Sequence, residues 1–253
     1  MSEAAVEAIL AARQERRLLA PLPEPLADEA AGYAAQRRLA ERLGAMPPAG
    51  FKIGATARTM QAYLGLAGPC AGFVEAGRLH ASGTALRFAD FLAPGVECEI
   101  GVRLARDLPF GRCTREQAGA CVAEVFAAIE VVEQRYGDLA VLGTPLLIAD
   151  QVFHAAGVRG AGVAPGSLDL GAARGEIRVD GTSRGAGHGR DLLGHPFEAL
   201  AWLAGAGAAR EFGGLLAGQL VWLGSVTPPV WLDGPCDVEV AFEGLGRVAL
   251  RLD

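Results

Sequence analysis

The chain has 253 residues, 51% hydrophobic and 21% charged, with a formal net charge of -6. That length predicts one domain with at most a small appendage, and that hydrophobicity excludes a disordered chain. The acidic balance excludes a nucleic-acid footprint and a polybasic membrane patch.

Ser2 to Arg17 carries Val6, Ile9, Leu10 and Ala12 on helical spacing. The early acids and arginines leave no signal-peptide core, so a cytoplasmic protein is expected. Prolines at 21, 23 and 25 break the first helix, and Asp28 can cap a second one running to Leu43 before Gly44. Pro47-Pro48 closes this helical head, giving a segment 1–48 and a core 49–253. In the core, strand-like runs alternate with Gly-rich turns: Phe51–Gly54, Thr84–Phe88, Val96–Leu104, Ala128–Glu133, Glu176–Val179, Leu220–Leu223, Asp237–Phe242 and Val248–Leu252. Asp180-Gly181 reads as a tight hairpin turn. Helices are expected at Ala57–Leu64, at Thr114–Phe126 with a Thr114/Gln117 capping box, and from Pro196 through Trp202. Leu139–Ala149 is a nearly apolar run, but far shorter than the ~20 residues of a membrane span. Strand and helix do not alternate regularly, which disfavours a doubly wound sheet. The reading is α+β: a helical N-terminal head plus a mixed, largely antiparallel β roll or barrel-like core.

Lysine is nearly absent. Of 23 Lys and Arg residues one is lysine, Lys52, and the chain has no asparagine. A site that keeps lysine in such a composition is one where arginine fails, because arginine does not release its proton near neutral pH. Lys52 is therefore a candidate for proton transfer or for point-charge stabilisation. The five cysteines form no C-x-x-C pair and read as small buried apolar residues. The four histidines lack metal spacing; His195 suits an N-cap or loop, and His188 with Arg190 sits in a Gly-rich loop. Neither Ser167 nor Ser225 lies in a G-x-S-x-G elbow, which disfavours a serine hydrolase.

Val96-Glu97-Cys98-Glu99-Ile100 sets two carboxylates on one face of a strand, roughly 7 Å apart at Cα. On an outer face water would screen them; on an inner face they need a positive partner. Glu130 interrupts the apolar run Phe126–Val132, where a lone acid is costly to bury. Three carboxylates without His or Cys suit a hard cation, Mg²⁺ or Mn²⁺.

These residues are familiar as a set. Phe51-Lys52-Ile53-Gly54, Val96-Glu97-x-Glu99-Ile100, Ala128-Ile129-Glu130-Val131, Gly194-His195-Pro196 with Ala199-Leu200-Ala201-Trp202-Leu203, and Gly224-Ser225-x-Thr227-Pro228 occur in that order. Together they resemble the 2-keto-4-pentenoate hydratase / 4-oxalocrotonate decarboxylase family, of the wider fumarylacetoacetate hydrolase fold. The resemblance implies a metal-dependent lyase acting on 2-oxo or 2-hydroxy-dienoic acids from the meta-cleavage of aromatic rings. It implies Mg²⁺ or Mn²⁺ on Glu97, Glu99 and Glu130, and Lys52 as the active-site lysine. It also implies substrate contacts from Gly54, Arg135, Ser225 and Thr227, and a homo-oligomer that binds neither nucleic acid nor membrane. Decarboxylation of 2-oxo-3-hexenedioate and non-catalytic binding of an organic acid are the alternatives. The chain departs from the family pattern at Pro69-Cys70-Ala71-Gly72, where Cys70 replaces an Asp, and at Glu133-Gln134, which replaces Asp-Ser before Arg135.

Overall fold

Two helices open the fold of this computed structural model, which describes residues 2–166 and 168–253. α1 (Ser2–Glu15) buries Ala5, Val6, Ile9 and Ala12 along one face. α2 (Glu29–Arg42) begins at Asp28, whose carboxylate accepts the Ala31 N–H at 2.8 Å. The reading of Ser167 lies outside the described residues.

The core follows as β1 (Gly50–Gly54), α3 (Arg58–Leu64), β2 (Cys70–Val74), β3 (Leu79–Ala81), β4 (Thr84–Leu86), β5 (Pro94–Leu104), α4 (Arg115–Gly119) and β6 (Val122–Glu133). Then come α5 (Leu139–Leu142), α6 (Thr144–Ala149), β7 (His154–Arg159), β8 (Arg174–Val179), β9 (Thr182–His188), α7 (Pro196–Ala204) and α8 (Gly207–Phe212). The chain ends with β10 (Leu220–Ser225), β11 (Val230–Trp231), β12 (Cys236–Phe242) and β13 (Gly246–Leu252).

Eight strands form one sheet in the order β2-β1-β10-β5-β6-β7-β3, with β11 added on β5; five form a second, β4-β13-β12-β8-β9. β1/β10, β3/β7 and β4/β13 are parallel, and the other pairs are antiparallel. The larger sheet curls strongly. Gly157 on β7 and Trp222 on β10 have β5 and β6 between them, yet a Cβ on Gly157 would lie 2.5 Å from the Trp222 ring. Only a half-barrel brings those strands so close, and only glycine fits there. The inner face carries Lys52, Glu97, Glu99, Glu130 and Trp222. The alternate residues Val96, Cys98, Ile100 and Ile129 point outward into the core shared with β12 and β13.

Several elements differ from the sequence reading. The helix expected over Thr114–Phe126 is one turn, α4, with its Thr114/Gln117 capping box in place. Val122, Val125 and Phe126 extend β6 instead, because pairing along the whole of β5 outweighs a short helix. The Gly-rich stretch after Asp180-Gly181 is strand β9, and the two turn residues have φ of +49° and +73°, a type I′ hairpin. β2, β3, β7 and β11 had no strand signal; β2 and β7 are rich in Ala and Gly, and cross-sheet pairing alone makes them strands.

Candidate active site

The register of β5 on β6 sets Glu97 directly opposite Glu130, with Glu99 opposite Ala128. Opposed like charges destabilise a sheet. Here one ligand oxygen from each of Glu97, Glu99 and Glu130 lies within 4.8 Å of the others. The Gly224 N–H donates to Glu99 Oε2 at 2.9 Å. Glu99 Oε1 and Glu130 Oε2 are buried with no hydrogen-bond partner. Two orphaned carboxylate oxygens in one cluster are a costly arrangement unless a cation takes them, so these residues fit a hard divalent ion.

Lys52 projects from β1, three strand spacings from β6, roughly 14 Å along a flat sheet. The curl closes that gap: Lys52 Nζ sits 3.6 Å from Glu130 Oε1 and is 2% exposed. It also donates to the Val152 carbonyl. His154 Nδ1 lies 2.7 Å from the same Glu130 oxygen, while its Nε2 has no partner. A carboxylate only accepts, so Nδ1 carries the hydrogen.

The Val152 carbonyl is aimed by a left-handed turn. Gln151, Val152 and Phe153 have φ of +62°, +50° and +67°. Such angles cost non-glycine residues about 1–3 kcal/mol each, most for a β-branched one. Asp150 holds the turn in place. Its carboxylate accepts Arg13 Nη2 at 2.6 Å, Arg135 Nε at 3.0 Å and the Tyr136 hydroxyl at 2.8 Å. Arg13 also donates to Gln151 Oε1 at 2.7 Å, so α1 is stitched to the turn behind the lysine.

Electrostatics follow from this burial. Burial first, then the Glu130 charge, pushes Glu97 up to about 8 against the pull of Lys52. Burial, Glu130 and Glu97 hold Glu99 well above the carboxylate range. Burial would raise Glu130 too, but Lys52 and His154 outweigh it and keep it low. Burial lowers His154 despite its acid partner, so the ring is neutral at pH 7. Cys70, beside Gly54 on β2, is a thiol pushed up to about 12, chiefly by burial.

A cavity of about 460 Å³ opens onto Lys52, Gly54 and Glu97. A Cβ on Gly54 would approach Lys52 Nζ to 3.2 Å, so the glycine keeps the amine accessible. Arg135 does not line this cavity. Its guanidinium is buried and taken up by Asp150, Glu133 and the His154 carbonyl. Ser225 and Thr227 also lie off it. Ser225 Oγ accepts the Cys98 N–H at 3.2 Å and the Thr227 N–H at 3.3 Å, bracing β5 between the two ligand positions. His195 caps α7, its Nδ1 accepting the Phe197 N–H at 3.0 Å. His188 ends β9, away from the cavity.

A half-barrel with clustered carboxylates and one lysine on its inner face defines a class of metal-dependent enzymes of carbonyl acids. Residues 67–253 match the family described as fumarylacetoacetate (FAA) hydrolase C-terminal, and the chain belongs to that family. Its relatives include a 2-keto-4-pentenoate hydratase of Paraburkholderia phymatum, 33% identical over 94% of this chain and 92% of that protein. A 4-oxalocrotonate decarboxylase of a Pseudomonas species is 30% identical over 79% of this chain and 77% of that protein. Among solved structures, 4-oxalocrotonate decarboxylase from Pseudomonas putida G7, complexed with magnesium and adipate, has the same fold. Its TM-score is 0.90 at 24% identity, over 100% of this chain and 97% of that one.

Proposed function

We propose that this chain is a divalent-metal-dependent lyase of the 2-keto-4-pentenoate hydratase type, adding water to 2-hydroxy-dienoic acids from aromatic meta-cleavage. The observation that carries it is the convergence of Glu97, Glu99 and Glu130, with two buried oxygens left unpartnered, beside the chain's single lysine. The three glutamates hold Mg²⁺ or Mn²⁺, in line with the magnesium bound by the related fold. When bound, the cation supplies Lewis-acid polarisation at the substrate's 2-oxygen. Lys52, fixed by the Val152 carbonyl, gives an ammonium proton to C5 of the diene and recovers one from the 2-hydroxyl, so it ends as it began. Water then gives its hydroxyl to C4 and its remaining proton to C3, so one water is taken up and nothing is oxidised. Segments 1–48 and 49–253 act as one unit, in a cytoplasmic homo-oligomer.

Decarboxylation is the second reading. Cys70 stands where the resembled hydratases carry Asp, and as a neutral thiol it offers no carboxylate to activate water. One pair of incubations separates the two. The chain is given 2-hydroxypenta-2,4-dienoate and 2-oxo-3-hexenedioate separately, each with Mg²⁺. Loss of diene absorbance from the first supports hydration; CO₂ release from the second supports decarboxylation. Turnover of neither refutes the lyase reading.

A further inference from the structure

We infer that the outer half of the cavity is a tail pocket for an uncharged, apolar substituent several carbons longer than the end of a five-carbon dienoic acid, and that it discriminates against a second carboxylate. This rests on Lys52 and Glu97 being the acid-binding floor of the proposed lyase.

Size comes first. A five-carbon 2-hydroxy acid has eight heavy atoms, and even at a water molecule's share of liquid volume, roughly 30 Å³ each, it leaves about half of the 460 Å³ empty. Burial then gives the cavity a direction. Lys52 is buried at the floor, whereas Trp231 is 44% exposed and Asp233 lies open at the mouth.

Between floor and mouth the walls are mostly apolar, Gln134 being the one uncharged polar side chain among the described lining residues, and the apolar part comes from three separate elements. α3 gives Met60 and Leu64, the left-handed turn gives Val152 and Phe153, and the β11 segment gives Trp231 and Leu232. Phe153 and Trp231 stand with ring centroids 6.4 Å apart, so aromatic surface continues from floor to rim. Charge settles the chemical class. Among the described lining residues the one cation is Lys52, already 3.6 Å from Glu130. A second carboxylate reaching outward would meet no arginine or lysine, and Asp233 would repel it.

Saturated 2-oxo acids are the probes, because they carry the acid head without the reactive diene. Calorimetry with the Mg²⁺-loaded chain compares 2-oxopentanoate, 2-oxooctanoate and 2-oxoadipate. Each buried methylene is worth about fourfold in affinity, so 2-oxooctanoate should bind at least tenfold tighter than 2-oxopentanoate. 2-Oxoadipate should bind no tighter than 2-oxopentanoate. Leu232→Arg should move the 2-oxoadipate to 2-oxooctanoate affinity ratio at least tenfold toward the diacid, with an unchanged melting temperature certifying the fold. Equal affinities across the alkyl series, or a preference of the parent chain for the diacid, overturn the tail pocket while leaving the lyase reading intact. Failure of all three acids to bind overturns both.

Discussion

Asp150→Ala tests the network that positions the lysine. The carboxylate is 1% exposed and meets two arginines and a tyrosine hydroxyl. Without it the Arg135 guanidinium, itself 5% exposed, keeps only Glu133 as an acidic partner. Removing one member of a buried ion pair costs about 3–5 kcal/mol, because the other charge is left uncompensated. The Arg13 side chain is 23% exposed, so its share is screened and adds at most about 1 kcal/mol. For a chain this long, each kcal/mol lowers the melting temperature by about 2–4 °C, so a fall of roughly 6–24 °C is expected by calorimetry. Below that temperature kcat should fall more than KM changes, since the turn that offers the Val152 carbonyl to Lys52 is loosened. Asp150→Leu with Arg135→Met should be less destabilised than either single variant, because the pair then leaves together. A single variant that melts within 2 °C of the parent would refute the reasoning.

Four further outcomes follow from the same geometry. Burial tends to raise Asp150, but Arg13 and Arg135 outweigh it and hold its folded value below the ordinary one, so the unfolded chain binds the proton more readily. Its contribution is then present above about pH 4 and drains as pH falls further; melting temperature between pH 5 and 3 should drop more steeply for the parent than for Asp150→Asn, and parallel slopes count against it. Lys52→Arg should lose at least about a hundredfold in kcat with its fold intact, and full activity in that variant would end the proton-transfer role. Mg²⁺ at a hundred times its Kd should stabilise the parent by about 2.7 kcal/mol, and Glu97→Gln with Glu99→Gln should abolish the rise while melting higher than the metal-free parent. His154→Phe should weaken Mg²⁺ binding by about 10–100-fold, measured by titration, because Glu130 loses the donor that orients it; unchanged affinity would assign the ring to packing alone.

Much of the fold and the centre of the site were legible because they obey short periods. Glu97 and Glu99 share a face by strand alternation, and Glu130 stands out as an acid within an apolar run. Lys52 is visible through composition. The register that opposes Glu97 to Glu130 is a matter of pairing between distant segments, and no local pattern encodes it. Gln151-Val152-Phe153 gives no warning of a left-handed turn, since two of these residues rarely adopt one and the network that enforces it comes from residues 13, 135 and 136. The same distance hid His154, whose partner lies 24 residues away. Arg135, Ser225 and Thr227 were visible as motif positions, but sequence order does not say which way a side chain faces; none of the three lines the cavity, and the Arg135 guanidinium and the Ser225 hydroxyl bond to the scaffold.

The strand that separates the lysine from the carboxylates is among the last to be made. β10 lies between β1 and β5, yet it is translated roughly ninety residues after Glu130. At ordinary ribosome speeds the growing polypeptide holds every proposed catalytic group for about 5–20 s before the element that spaces them exists. Until then Lys52 has no fixed distance to Glu130, and a product terminated before Leu220 keeps all four groups without their arrangement. The arrangement of the proposed site thus waits on the last eighth of the chain, residues 220–253.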